Sequence, residues 1–188
     1  MIKGNKKLFV LYALVVSFIV VLLFLFNPTS ILIEPKITPL EFLQGKPYIV
    51  LFNGITVIVP TSTFFVYLLG VQILYFGVKL IKNNKNIWGI SLIFWGIGTL
   101  LAGTSYQGLG YELKCDGNTY CEFTSGFELS YLFITAISIS VMAIAFSRDF
   151  LDLSKQKALE LYAKIALGIY TIILMLGSIL ENSLLISY

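Results

Sequence analysis

The stretch 103–131 carries nearly all of this chain's reactive side chains: Tyr106, Gln107, Glu112, Lys114, Cys115, Cys121, Glu122, Ser125, Glu128 and Tyr131. Two carboxylates near one another can serve as general acid and base or hold a cation, and a tyrosine and an amide beside them can orient a substrate. The candidate ligand-binding residues are therefore Tyr106, Gln107, Glu112, Glu128 and Tyr131. Each also has a plainer explanation. Ser125-Gly-Phe-Glu128 fits a capping box, in which serine and glutamate satisfy exposed amides at a helix start. Glu112, and Glu181 further on, can be solvated helix ends. Thr104, Ser105, Tyr106 and Gln107 can bond neighbouring helices, with Gln72, Thr135 and Ser138 as partners, or line an outward-facing pocket walled by Tyr67, Trp95 and Tyr131.

Cys115 and Cys121 are the only cysteines. With Asp116-Gly117-Asn118 between them to turn the chain, a disulfide closing a short loop is the natural reading. A redox-active pair calls for Cys-x-x-Cys, which is absent. Two thiols and nearby acids do not supply four good metal ligands, so no metal site is expected. Histidine is absent altogether, which excludes histidine-ligated haem, zinc hydrolase sites and Ser-His triads. No cofactor is implied.

These residues are carried by a chain that is 57% hydrophobic and 12% charged, with a mean hydropathy of +0.88. That is too apolar for a soluble domain, and it predicts one all-α integral membrane domain. Apolar segments near the length needed to cross a bilayer run over 8–26, 61–81, 87–110, 127–146 and 161–180, giving a five-helix transmembrane bundle. The first follows Lys3, Lys6 and Lys7 and reads as a retained anchor rather than a cleaved signal. The outer loops are 27–60 and 111–126. In the first, an Asn53-Gly54 pair between β-branched and aromatic runs signals a short extracytoplasmic β-hairpin, lying on the helix ends or the membrane surface.

Orientation comes from charge. The N-terminus, the 82–86 turn and the 147–160 segment, with their flanks, hold Lys3, Lys6, Lys7, Lys79, Lys82, Lys85, Arg148, Lys155, Lys157 and Lys164, against only Asp149, Asp152 and Glu160. That side is expected to be cytoplasmic, which leaves the C-terminus and the cysteine loop outside in a multi-pass cell-membrane protein. Glu160 precedes Lys164 by four residues, the favourable order for a helical ion pair.

Gly89, Gly96, Gly103 and Gly110 recur every seven residues and share one stripe of a helix. Gly70 and Gly77 fall level with Gly96 and Gly89 if the second and third spans form a hairpin about Asn83. Small residues on facing helices are the ordinary means of close packing in lipid, so Gly70, Gly77, Gly89, Gly96 and Gly103 are expected at a tight interface.

Three functions are compatible with these residues. The first is a non-enzymatic protein that binds a membrane lipid, a small amphiphile or another membrane protein through an outward-facing polar and aromatic pocket. The second is a membrane enzyme using Glu112 or Glu128 as acid or base. The third is a small channel or carrier, for which a homo-oligomer would have to build the pore. No basic groove for nucleic acid is present.

Overall fold

The computed structural model describes residues 6–28 and 30–187, with side chains over 14–28 and 30–186; Lys3 lies outside the described residues. In chain order the elements are α1 (Lys6–Leu25), α2 (Pro39–Leu43), the strands β1 (Tyr48–Val50) and β2 (Thr56–Ile58), α3 (Pro60–Lys82), α4 (Asn86–Gly103) continued by a π-helical turn (Thr104–Gly108), α5 (Gly110–Lys114), α6 (Gly126–Phe150), α7 (Leu153–Ile179) and α8 (Ser183–Ser187). The protein is mostly helical, and four helices are long and apolar enough to cross a membrane: α3, α4 with its π turn, α6 and α7. Each has 23 to 27 residues, which at about 1.5 Å per residue exceeds the roughly 30 Å hydrocarbon thickness. Phe64, Phe65, Tyr75 and Phe76 on α3, and Ile165, Ile169, Ile172 and Ile179 on α7, are exposed.

Helices α3 and α4 meet along the expected glycines. A Cβ at Gly96 would lie 3.0 Å from the carbonyl oxygen of Gly70, and one at Gly89 2.6 Å from that of Gly77. Main chains this close leave no room for a side chain. The stripe ends sooner than the heptad spacing implies. At Thr104 the helix widens, and the Leu109 amide bonds Thr104 O five residues back at 2.8 Å. The extra residue turns Gly110 off the stripe, so a Cβ there would meet Ser105 O and Ile58 instead. Gly108 takes its place against α3, beside Thr63 and Tyr67.

Helix α6 is the centre of the bundle. Its Leu129, Phe133, Ile134 and Ile137 form one core with Leu23 of α1, Leu174 of α7 and Ile186 of α8, flanked by Phe94, Ile97 and Leu101 of α4. Between α4 and α6 the buried Ser91 and Ser138 exchange bonds: the Ser91 hydroxyl donates to Ser138 O at 3.0 Å, and the Ser138 hydroxyl to Ser91 O at 2.8 Å. Ser138 is thus bound deep in the bundle and does not reach Thr104–Gln107. Phe24 of α1 packs edge-on against Phe127, and the Ser178 hydroxyl of α7 donates to Phe26 O.

The segment between α6 and α7 is shorter than expected. Helix α6 runs on to Phe150 and α7 begins at Leu153, so the 147–160 stretch is helical except at Leu151 and Asp152. Arg148 supports this by donating to Glu160 at 2.7 Å across the junction. Glu160 therefore pairs directly with α6, and the Lys164 charge acts on it from further off. Nearby, Trp88 donates its indole N–H to Asp149 at 2.9 Å, closing the basic end of the bundle.

At the opposite end lie the hairpin and the cysteine loop. Tyr48 faces Ile58 and Val50 faces Thr56 in the antiparallel pair. Gly54, at φ 85, takes the left-handed position after Asn53 that the turn requires. Strand β2 packs on α5 and the π turn and buries Ile58, while Tyr48, Ile49, Val50 and Phe52 on the other strand and the tip are exposed. Helix α2 starts at a capping box, Thr38 to Glu41, with Pro39 in its first turn. The bond from the Thr38 amide holds the Glu41 carboxyl below the usual carboxylate range. Helix α7 ends at Ile179, and Glu181, at φ 52, folds α8 back so that Leu185 touches Gly177.

Gly96→Leu should drive α3 from α4 and cost about 1–3 kcal/mol, seen as a fall of several degrees in melting temperature in detergent. Gly168→Leu is the control, because a Cβ at Gly168 meets nothing within 4 Å. Equal melting of the two variants would rule out the paired glycine faces.

Candidate functional site

The short helix α5 ends at Lys114, and the next residue, Cys115, is bridged to Cys121. The bridge folds the chain back so that the Glu122 amide donates to Lys114 O at 2.8 Å. The Glu122 carboxyl is raised above its ordinary range by burial, against the opposing effects of a bond from Asn118 and the charge of Lys114. On either side, Ile33 N donates to Cys121 O and Phe123 N to Ile31 O, which binds the first outer loop along the same segment. Both cysteines are fully buried.

This fold-back brings the Lys114 ammonium to the start of α6. It donates to Glu128 Oε2 and, at 3.3 Å, to Phe123 O. Lys114 is 6% exposed and Glu128 7%, so the pair is a buried ion pair. The second carboxylate oxygen accepts from the Tyr106 hydroxyl at 2.7 Å, and the ammonium also lies 5.1 Å from the Tyr106 ring centre. Beside them the hydroxyls of Ser105 and Ser125 are 2.7 Å apart. Ser105 follows Ser91 and Gly98 at seven-residue spacing on the face of α4 that meets α6.

Half of the expected capping box forms. The Ser125 hydroxyl accepts from the Glu128 amide at 3.3 Å. The carboxylate does not reach back to Ser125; Lys114 and Tyr106 hold it, because a buried charge needs a counter-charge more than an amide needs a second acceptor.

The five candidate residues separate into three groups. Tyr106, Glu128 and Tyr131 come together: the Tyr106 and Tyr131 rings stand edge to face, 6.1 Å between centres. Glu112 is directed elsewhere, accepting from the Thr56 amide of β2 at 2.6 Å and so tying the hairpin to α5. Gln107 keeps a buried amide oxygen with no partner among the described residues. Thr104 bonds Tyr67 of α3 at 2.8 Å, which commits Tyr67 to the helix interface. Trp95 is exposed away from this network. Glu181 accepts from the Ser30 hydroxyl. Lys114 is the residue that carboxylate-centred reasoning missed. It is the one basic residue of the 111–126 loop, set among Glu112, Asp116 and Glu122 and adjacent to a cysteine.

Next to this closed network is an open space. A cleft of about 350 Å3 runs between α6 and α7 from Tyr131 and Tyr170 past Thr135, Ala136 and Ala166 to Ser140. Its lining is apolar but for four hydroxyls, and it opens on the outer surface of two helices long enough to cross a membrane. Tyr131 belongs to both features, touching Tyr106 on one side and lining the cleft on the other. Among the described residues no group of three or more acidic or cysteine side chains is placed to hold a metal ion. The chain matches no protein family, no curated protein and no solved structure.

Removing one member of the buried pair strands the other. Lys114→Met and Glu128→Leu should each cost about 3–5 kcal/mol, and Lys114→Met/Glu128→Leu should recover much of the loss. Chemical unfolding of the three variants measures the coupling, and strictly additive losses would mean that the pair carries no interaction. The cysteines should resist alkylation in denaturant until reductant is added, and replacing both by serine should cost about 2 kcal/mol, the value for a loop this short. Free thiols in freshly isolated membranes would contradict the bridge.

Proposed function

We propose that this is a multi-pass membrane protein that binds a membrane amphiphile in the cleft between α6 and α7. In this reading α1 is a fifth span. The basic end, with the α3–α4 and α6–α7 turns, is cytoplasmic, and the hairpin, the cysteine loop and the C-terminus lie outside. The basic residues at one end favour that orientation. The apolar side chains of β1 and Phe52 suit contact with the membrane surface, so the hairpin both covers the helix ends and rests on lipid.

The observation that carries the binding role is the position of the cleft. It lies within the apolar length of α6 and α7, where lipid chains are the available solutes, and it is headed by tyrosines whose amphipathic rings suit the boundary between chain and head. The ionisable groups give less support to acid–base chemistry. Glu112 and Glu128 are bonded to different elements, and the Glu128 carboxylate is occupied on both oxygens.

Filling the cleft tests the role. Wild-type protein extracted in mild detergent should retain a lipid of defined mass in native mass spectrometry, and Ala136→Trp should lose it with little change in melting temperature. Ile165→Trp, on the exposed face of α7, should retain it. Wild-type protein that sheds all lipid, or an Ala136→Trp variant that retains the same species, would refute binding in the cleft.

A further inference from the structure

We propose that the occupant of the cleft is an uncharged lipid whose head carries oxygen acceptors, of the monoacylglycerol or long-chain alcohol kind. The inference rests on the binding role above and adds the chemical class of the ligand.

Four of the residues lining the cleft bear hydroxyls: Tyr131 and Thr135 on one flank of α6, Ser140 deeper on the same helix, and Tyr170 facing them from α7. Among the described residues none of these hydroxyls is hydrogen-bonded to protein. Elsewhere Thr99, Thr104 and Thr171 each donate to the carbonyl four residues back and Ser91 and Ser138 bond each other, while Thr124 and Ser130 are buried with no partner among the described residues. A hydroxyl in hydrocarbon without an acceptor is unfavourable, so the two phenols and two alcohols of the cleft call for acceptors from whatever fills it.

Charge excludes the alternatives. No Lys, Arg, Asp or Glu lines the cleft. Toward the disulfide end the nearest ions are Lys114 and Glu128, which neutralise each other behind Tyr106. Toward the basic end Lys164 is exposed and is not part of the lining. A phosphate or carboxylate head drawn to the level of Tyr131 would lose its hydration without meeting a counter-ion. A hydroxyl or ester oxygen there gains the donors that the cleft leaves unused.

The test uses the full chain in lipid nanodiscs and three probes with the same oleoyl chain: monooleoylglycerol, oleate and lysophosphatidylglycerol. Native mass spectrometry should show monooleoylglycerol binding about tenfold or more tighter than either anion, an unpaired charge costing at least that factor. Tyr131→Phe/Tyr170→Phe, which keeps the volume of both rings, should weaken monooleoylglycerol about tenfold and leave the melting temperature of the empty protein unchanged. Anions that bind as well as the glyceride would overturn the charge selection, and undiminished binding to the double variant would overturn the role of the phenols. Saturable monooleoylglycerol binding lost in Ala136→Trp keeps the cleft in place under either of those results. If no probe binds above the level of bulk lipid, the cleft itself, and this inference with it, fails.

Discussion

A lysine and a glutamate withdrawn from solvent at one end of a helix bundle constrain everything around them. Neither charge is tolerable there alone, so the segments that carry them must meet within hydrogen-bond reach. Lys114 ends the short α5 and Glu128 lies in the first turn of α6. The disulfide folds the intervening chain, the Glu122 amide fastens it to Lys114 O, and Tyr106 supplies the last bond to the carboxylate. Tyr106 lies in the π turn, next to Ser105 on the face of the helix that meets α6. The hairpin is held to the same unit through Glu112. This end of the bundle is therefore one bonded assembly, built from residues that separately resemble catalytic groups.

Away from it, two different modes of helix packing stand side by side. Helix α4 has two kinds of contact. Glycines bring it against α3, where Leu74, Leu100 and Val66 fill what the missing side chains leave. On its other side Ser91 and Gly98 receive Ser138 and Thr135 of α6. Helices α6 and α7 do not close in the same way. Tyr131 and Tyr170 and the small residues Ala136 and Ala166 line the space left between them, while Leu174 shares the core of α6. Close contact in one pair and separation in the next is how the same apolar composition yields both a rigid wall and a recess.

The long helices, the glycine pairing, the hairpin and the disulfide were all legible in the sequence, because each rests on a local pattern: length of apolar run, heptad spacing, Asn-Gly, and two cysteines about a turn. The π turn was not legible. It inserts a residue without a breaker, and a strict count through Gly103 to Gly110 runs straight across it. The pairing of Lys114 with Glu128 was hidden for a related reason: it depends on how a disulfide loop folds back, and Ser125-Gly-Phe-Glu128 offered a local partner for the same carboxylate. Helix α2 was not read from the sequence, because its five residues behind the Thr38–Glu41 capping box are too few to show a helical period. The candidate site was thus half visible. Tyr106, Glu128 and Tyr131 converge, Glu112 serves the hairpin, and the cleft is evident only once α6 and α7 are placed side by side.

A density map of the protein in a native-like bilayer, fine enough to show lipid, tests the account most directly. The account predicts an elongated feature between α6 and α7 whose head lies within hydrogen-bond distance of Tyr131 or Tyr170, with Lys114 still closed on Glu128. An empty cleft, or a ligand seated on Glu128 in place of Lys114, would contradict it.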